Sequence, residues 1–408
     1  MSNSVPDGWQ YNFIGDIATV FAGGTPSRAN TEYYVGSNPW VKSGEVNARQ
    51  IFNTEEHISD LAIIESSAKW AKAGSVLVAM YGATAGQVAK LMIDATLNQA
   101  VSAINGKDDL AHNDYLLYSI EYNTDELLNT VQGSGQPNLS GQLIKSLKIP
   151  LPPLPEQKKI AAILTSVDAV IEKTQAQIDK LKDLKTGMMQ ELLTKGIGHT
   201  EFKDSPVGRI PVEWDCVKMN TIAKVTDGAH HTPNYTPTGV PFLRVTDLKN
   251  KNIFDGNIKY IHQSEHIELL KRCKPEKGDI LYSKNGTIGI TRLIDWEEEF
   301  SIFVSLALIK RLSEQISSEY LVLFMDSPII HEQIRTRSKQ GTVTNLHLEE
   351  IRDFDIPVPE QKEQLKISQV LNSLVVRLKL AEEKLLIHKN TKKALMQDLL
   401  TGKVRVKV

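Results

Sequence analysis

The feature that most constrains this chain is that it is written twice. Val5-Pro6-Asp7-Gly8-Trp9 matches Ile210-Pro211-Val212-Glu213-Trp214, about 205 residues on. Ile17-Ala18-Thr19-Val20 matches Ile222-Ala223-Lys224-Val225, and Gly23 falls on Gly228. Gly74-Ser75-Val76-Leu77 matches Gly278-Asp279-Ile280-Leu281, Tyr115-Leu116 matches Tyr320-Leu321, and Asn138-Leu139 matches Asn345-Leu346. Both copies then reach Ile-Pro (Ile149-Pro150, Ile356-Pro357) and Pro-Glu-Gln-Lys (Pro155 to Lys158, Pro359 to Lys362). They close on Met189-Gln190-Glu191-Leu192-Leu193-Thr194 and Met396-Gln397-Asp398-Leu399-Leu400-Thr401. Matches in this order mark two diverged copies of one unit. Duplication without functional meaning is the bland reading; a repeated binding surface is the sharper one.

Each copy has two parts. The first mixes short strand-like runs (Ser75 to Ala79, Ile280 to Tyr282, Phe303 to Ile309) with Gly, Pro, Asn and Ser punctuation. Helical stretches are expected near Tyr115 to Thr130 and Glu319 to Thr336. This reads as an α+β domain. The second part is one long helix. The expected order is a first globular domain over 1–154, a helix over 155–196, a second domain over 197–358, a helix over 359–402 and a tail over 403–408.

The helices carry a seam. A 4-3 spacing picks out Ile160, Leu164, Val167, Ile171, Thr174, Ile178, Leu181, Lys185, Met188 and Leu192 in the first copy. In the second it picks out Ile367, Leu371, Leu374, Leu378, Ala381, Leu385, His388, Lys392, Leu395 and Leu399. Such a heptad pattern calls for a partner helix. Two matching seams in one chain are best satisfied by each other. The domain between them lets the chain reverse, so an antiparallel coiled coil with pseudo-twofold symmetry is expected. Lys185 and Lys392, at equivalent seam positions, either fix register or snorkel to solvent at the coil ends; snorkelling is the expectation. Further apolar residues flank the seam: Ile163, Val170, Leu184, Met189 and Leu193, then Val370, Val375, Leu386, Ile387 and Leu400. Either the globular domains cover them or they dock a partner.

Composition bounds the class. Hydrophobic residues are 41% and charged residues 24%, ordinary globular usage. No apolar run approaches the ~18 residues a membrane helix needs, and Met1 to Gln10 has no signal-peptide core, so a soluble, cytoplasmic protein is expected. Cys216 and Cys273 make neither a disulfide framework nor a zinc site. The net charge of −2 means that any nucleic-acid surface is a local patch or is shared with a basic partner. Gly82-Ala83-Thr84-Ala85-Gly86 and Gly286-Thr287-Ile288-Gly289 lack a phosphate-loop lysine and read as strand-connecting turns. Pro275-Glu276-Lys277-Gly278-Asp279 with Lys284 lacks the acid spacing of a nuclease. His230-His231 has no third ligand placed by sequence.

Two variable domains, each followed by Pro-Glu-Gln-Lys and a long helix, resemble the specificity subunits of type I restriction-modification systems. Leu395-Met396-Gln397-Asp398-Leu399-Leu400-Thr401-Gly402-Lys403-Val404-Arg405-Val406 looks very like that family's C-terminal end. Gly208-Arg209-Ile210-Pro211-Val212-Glu213-Trp214 resembles the approach to its recognition domains, and Gly23-Gly24-Thr25-Pro26-Ser27 a stretch found early in many of them. The second copy departs there, reading Asp227-Gly228-Ala229-His230-His231-Thr232-Pro233. The resemblance implies a non-catalytic subunit that reads one half of a bipartite duplex DNA target with each domain, the helices setting the separation. It implies two methyltransferase subunits and restriction subunits as partners. S-adenosylmethionine, ATP and Mg are then expected on those partners and no cofactor or metal in this chain. A stand-alone adenine methyltransferase is the alternative, but Asn38-Pro39-Trp40 lacks the second proline of its Asp/Asn-Pro-Pro-aromatic turn. A coiled-coil interaction protein without a DNA role is the third reading.

Base reading needs polar side chains on exposed elements with phosphate contacts nearby. The candidates in the first domain are Thr25, Ser27, Arg28, Lys42, Tyr81, Thr84, Gln136 and Asn138. In the second they are His230, His231, Arg244, Lys284, Asn285, Thr287, Lys339, Gln340, Thr342, Thr344 and Asn345. The loops at 81–84 and 284–287, and those at 133–138 and 339–345, are equivalent in the repeat yet differ in side chain, as two different half-sites require. Neutral drift in surface loops gives the same pattern.

Overall fold

The computed structural model of the chain describes residues 5–129, 138–250, 252–337 and 345–407. The chain folds as two compact units, and they cut across the linear order of domain, helix, domain, helix. Met1–Gln175 joins Glu383–Val408 in one unit, and Ala176–Glu382 forms the other. Each unit therefore holds one globular domain, the first half of its own long helix and the last half of the other copy's.

The domain of the first unit is α+β. Its larger sheet runs β1 (Ala18–Ala22), β4 (Val101–Gly106), β2 (Val76–Ala79), β3 (Val88–Leu91), with Gln50–Ile51 parallel to β3 at the edge. A second sheet centres on Asn38–Val41, paired in parallel with Ala95–Leu97. The ends of the domain are tied by Gln10–Phe13 against Lys148–Leu151. The second unit repeats this plan: β5 (Ala223–Asp227), β8 (Leu306–Arg311), β6 (Ile280–Ser283), β7 (Thr291–Leu293). There Val240–Leu243 pairs in parallel with Ser301–Ile302, and Asp215–Lys218 closes against Asp355–Val358. The central strands β2 and β6 are buried at every position, which is why they read as near-continuous apolar runs rather than alternating ones. The matched glycines Gly23 and Gly228 have a shared cause: a Cβ at either would overlap the carbonyl oxygen of Leu97 or Ile302.

The first long helix spans Leu154–Leu192 and the second Gln361–Leu400. At 1.5 Å per residue each is about 60 Å long. Every seam position named above is buried or half-buried. Within the first unit Asp168 faces Lys392, while Ile160 and Leu164 share a core with Met396, Leu399 and Leu400. Within the second unit Lys182 faces Glu382, while Met189 and Leu193 share a core with Ile367 and Leu371. The helix segments thus run antiparallel in both.

The surplus apolar residues divide by position. Met189, Leu193 and Leu400 enter the globular cores, so the domains cover them. Val170, Leu184, Val375, Leu386 and Ile387 remain exposed. Lys185 and Lys392 do not snorkel. Lys185 Nζ lies 2.8 Å from Asp326, and Lys392 Nζ lies 2.7 Å from Glu121 and 2.8 Å from Asp168. The helix ends pack on the globular domains, so a carboxylate is in reach where solvent was expected. Glu121 and Asp326 hold equivalent places at the ends of the helices Asn113–Tyr122 and Ser318–Met325.

An acid-amide pair in the first turn of each long helix has a physical reason. It is Glu156-Gln157 within the first Pro-Glu-Gln-Lys, but Glu363-Gln364 in the second copy, just past the Pro359 to Lys362 string. The matching tetrapeptides are therefore three residues out of structural register. Glu156 is buried and accepts from the Trp9 indole N–H at 3.0 Å, while Arg405 grips both its oxygens at 2.7 and 2.8 Å. Glu363 accepts from the Trp214 indole N–H at 3.0 Å and from the Ile197 N–H at 2.7 Å, with the His199 Nε2 at 2.9 Å. Each glutamate therefore clips the segment just past the end of the other copy's helix to the start of its own domain. The glutamine beside it does a second job: Gln157 caps the His112 N–H and the Leu110 and Pro152 carbonyls. Gln364 does the same for Ser317, Gln315 and Pro359.

Two outcomes follow from these clips. Trp9→Phe and Trp214→Phe each remove a hydrogen bond to a carboxylate and should each cost about 1.5–3 kcal/mol in urea unfolding at pH 7; costs under about 0.5 kcal/mol for both contradict the clip. Burial opposes ionisation of Glu156, but the Arg405 guanidinium and Trp9 indole outweigh it and hold its carboxyl below the ordinary range. A depressed folded pKa stabilises above the free-carboxylate range and is lost as pH falls through it. The stability gap between wild type and Glu156→Gln should therefore narrow below about pH 4; a gap constant down to pH 3 would refute that assignment.

Candidate nucleic-acid interface

In both units the described end of one candidate loop meets the start of the other. The chain leaves β2 through Met80-Tyr81 and turns at Gly82, whose φ of 74° is left-handed. Tyr81 forms an isolated bridge with Asn138, and the Leu139 N–H donates to the Met80 carbonyl at 2.9 Å. The chain leaves β6 in the same way, turns at Gly286 with the same φ, and Asn285 bridges Asn345. There the Leu346 N–H donates to the Lys284 carbonyl at 2.8 Å. Segments far apart in sequence thus form one composite tip per unit, with Tyr81, Asn138 and Asn345 exposed and Thr84 half-buried. The glycine-bounded segments between β2 and β3 and between β6 and β7 are the strand connections expected of them. Gln136, Lys339, Gln340, Thr342 and Thr344 lie outside the described residues.

The charged candidates are mostly engaged. Arg28 lies 2.8 Å from Glu56 and stacks over Tyr34, and Lys42 lies 3.0 Å from both Glu55 and Glu56. Burial works against the Glu56 carboxylate, yet these two cations hold its pKa below the ordinary value. Thr25 accepts from Asn98 at 2.9 Å, while Ser27 is exposed. Arg244 spends its fork on the buried carboxylate of Asp247, at 3.1 Å to each oxygen. Lys284 is only 6% exposed, and its ammonium lies 3.4 Å from the buried Asp227. A lysine so placed holds the base of the tip and has little reach to a phosphate. His230 bonds Asp227 at 3.0 Å, whereas His231 lies 3.4 Å from Glu265, so the two rings serve different acids. Among the described residues no group of three or more His, Cys, Asp or Glu gathers as a metal site.

Two cations at this surface escaped the sequence reading. Lys249 is exposed and donates to Thr287 Oγ1 at 3.3 Å, beside the second tip. Arg272 is half exposed and donates to Asp227 at 2.7 Å, next to His230. Neither has a motif around it. Their signal is three-dimensional, since Lys249 reaches the tip from the loop after Val240–Leu243 and Arg272 from the end of the helix Gln263–Leu270.

Comparison with known proteins agrees with this architecture. The family model for the type I restriction modification DNA specificity domain matches twice, at residues 6–183 and 211–387. The chain is 27% identical to the type I restriction enzyme MjaVIII specificity subunit of Methanocaldococcus jannaschii, over 99% of this chain and 94% of that one. It is 20% identical to the EcoKI specificity subunit of Escherichia coli, over 91% of this chain and 83% of that one. The crystal structure of a type I restriction-modification S subunit from M. genitalium superposes with a TM-score of 0.59 at 14% identity, covering 98% of this chain and 97% of that one, and shares its fold. No described helix is long and apolar enough to cross a membrane. Two matches to the specificity domain over most of its length, laid on a twice-repeated domain and long helix, place the chain in the family of type I restriction-modification DNA specificity subunits.

Proposed function

We propose that this chain reads a two-part duplex DNA target, one part with the composite tip of each unit, and spaces the two readings through its long helices. The observation that carries this is the pairing of Tyr81 with Asn138 and of Asn285 with Asn345 at the same place in two copies of one fold. The partner asparagines Asn138 and Asn345 are alike, but Tyr81 stands where the second copy has Asn285. Equivalent placement with a different side chain is what two half-sites of different sequence need. Base edges are discriminated by such amide and hydroxyl groups, and phosphates by lysine and arginine. Two linked readers multiply their specificity when the link is stiff.

The chain contributes recognition and no bond-making step of its own. Methyltransferase subunits, with S-adenosylmethionine, act on the bound DNA; restriction subunits, with ATP and Mg, complete the enzyme in the cytoplasm. The apolar residues left exposed along the long helices, such as Leu386 and Ile387, are the surface we assign to partner docking. A near-neutral chain gains affinity from partners that supply positive charge around the same duplex.

Mapping methylated adenines in the host genome gives the target. The chain with its methyltransferase subunit should then bind that duplex far more tightly than a scrambled one, with an affinity that falls as salt rises. Equal affinity for all duplexes contradicts the reading. Lys249→Ala should weaken binding to all sequences alike and reduce the salt slope by about 1; an unchanged slope removes Lys249 from the phosphate contacts. Lys284→Ala should leave the slope as it is and lower the midpoint of thermal unfolding instead, because Asp227 loses a buried partner.

A further inference from the structure

Where the domain of the first unit meets its helix pair, four charged side chains from four segments close into a ring. Arg49 comes from the loop before Gln50–Ile51, and Glu121 from the end of the helix Asn113–Tyr122. Asp168 comes from the first long helix and Lys392 from the second. Arg49 lies 2.8 Å from Glu121 and 2.8 Å from Asp168. Lys392 lies 2.7 Å from Glu121 and 2.8 Å from Asp168. Each acid is thus held by both cations. The Tyr118 hydroxyl donates to Asp168 at 2.8 Å, and the Arg49 guanidinium sits 4.7 Å from its ring centroid. The Asp168 and Lys392 side chains are only 13% and 14% exposed, so solvent screens the ring little.

A single ion pair fixes a distance. A closed ring of two acids and two cations drawn from four segments also fixes an angle, because tilting the domain lengthens several of its ion pairs together. The second unit has no such ring among its described residues. Lys185–Asp326 stands there for Lys392–Glu121, with Asp326 40% exposed. The residue equivalent to Asp168 is Val375, which is exposed. The ring is therefore not a requirement of the fold, since the other copy of the domain docks without it.

We propose that this ring is a positioning device: it sets the tilt of the first unit's reading domain on its helix pair, and through that tilt the spacer length between half-sites that the protein accepts. Asp168 is the positioning residue at its centre, touching both cations and Tyr118. The inference rests on the DNA-reading function proposed above and adds to it where one term of its geometry is stored.

The test uses the full chain with its methyltransferase subunit and duplexes carrying the mapped target. In one series the spacer is shortened or lengthened by one base pair; in another each half-site is scrambled in turn. Wild type should prefer the native spacer and both native half-sites. Asp168→Val, which installs the second copy's own residue, should flatten the spacer preference by about five-fold, equivalent to roughly 1 kcal/mol, and leave half-site preference intact. Asp168→Glu should restore most of it. Arg49→Lys, which keeps the charge and removes the fork, should give an intermediate value and serves if Asp168→Val does not fold. A cooperatively melting variant with unchanged spacer preference overturns the proposal, as does an equal loss of affinity on every duplex, which marks a purely structural ring. A wild-type complex that prefers no target or spacer defeats the DNA-reading function instead.

Discussion

The last turns of each long helix are buried in the core of the domain that the other copy builds, and the rest of the structure depends on that exchange. Leu193 sits with Trp214, Ile367 and Leu371; Leu400 sits with Trp9, Ile160 and Leu164. Fully burying one leucine contributes about 1.5–3 kcal/mol, and two or three such residues enter each core from the opposite copy's helix. Neither domain has a complete core on its own helix. The carboxylate clips at Glu156 and Glu363 act at the same two places and hold the chain just past each exchanged helix end. Apolar burial supplies the gain, and the clips supply the geometry.

The exchange explains which features recur in the sequence. Trp9 and Trp214, Glu156 and Glu363, Gln157 and Gln364, and Lys392 and Lys185 are matched because each has the same task in its own unit. What differs between the copies is as informative. Arg405 clips Glu156, whereas His199 and a backbone N–H clip Glu363. A guanidinium grips a carboxylate through two parallel bonds and keeps its charge at any ordinary pH, so the two clips are built from different chemistry on one plan.

The repeat, the α+β character and the helix seams were legible in the sequence because each is a local or periodic pattern. The seam residues are buried or half-buried because a 3.5-residue period forces one face inward. The exchange of helix halves was not legible, since nothing local says which domain a helix end enters. Lys185 and Lys392 show the limit: as seam lysines they pointed to solvent, and only the fold brings Asp326 and Glu121 to them. At the candidate interface the loops at Tyr81 and Asn285 could be found by register. That Lys284 is spent on Asp227 could not, nor that Lys249 and Arg272 reach the same surface, because their partners lie on other strands and helices.

Hydrogen exchange on the full chain carrying Leu399→Asp tests the exchange of helix ends most directly. A charge at that buried site should strip protection from β1, β2 and β4, which lie nearly 300 residues or more away in sequence, and leave β5, β6 and β8 protected. Loss of protection confined to the end of the second long helix, or spread equally through both units, would contradict the account.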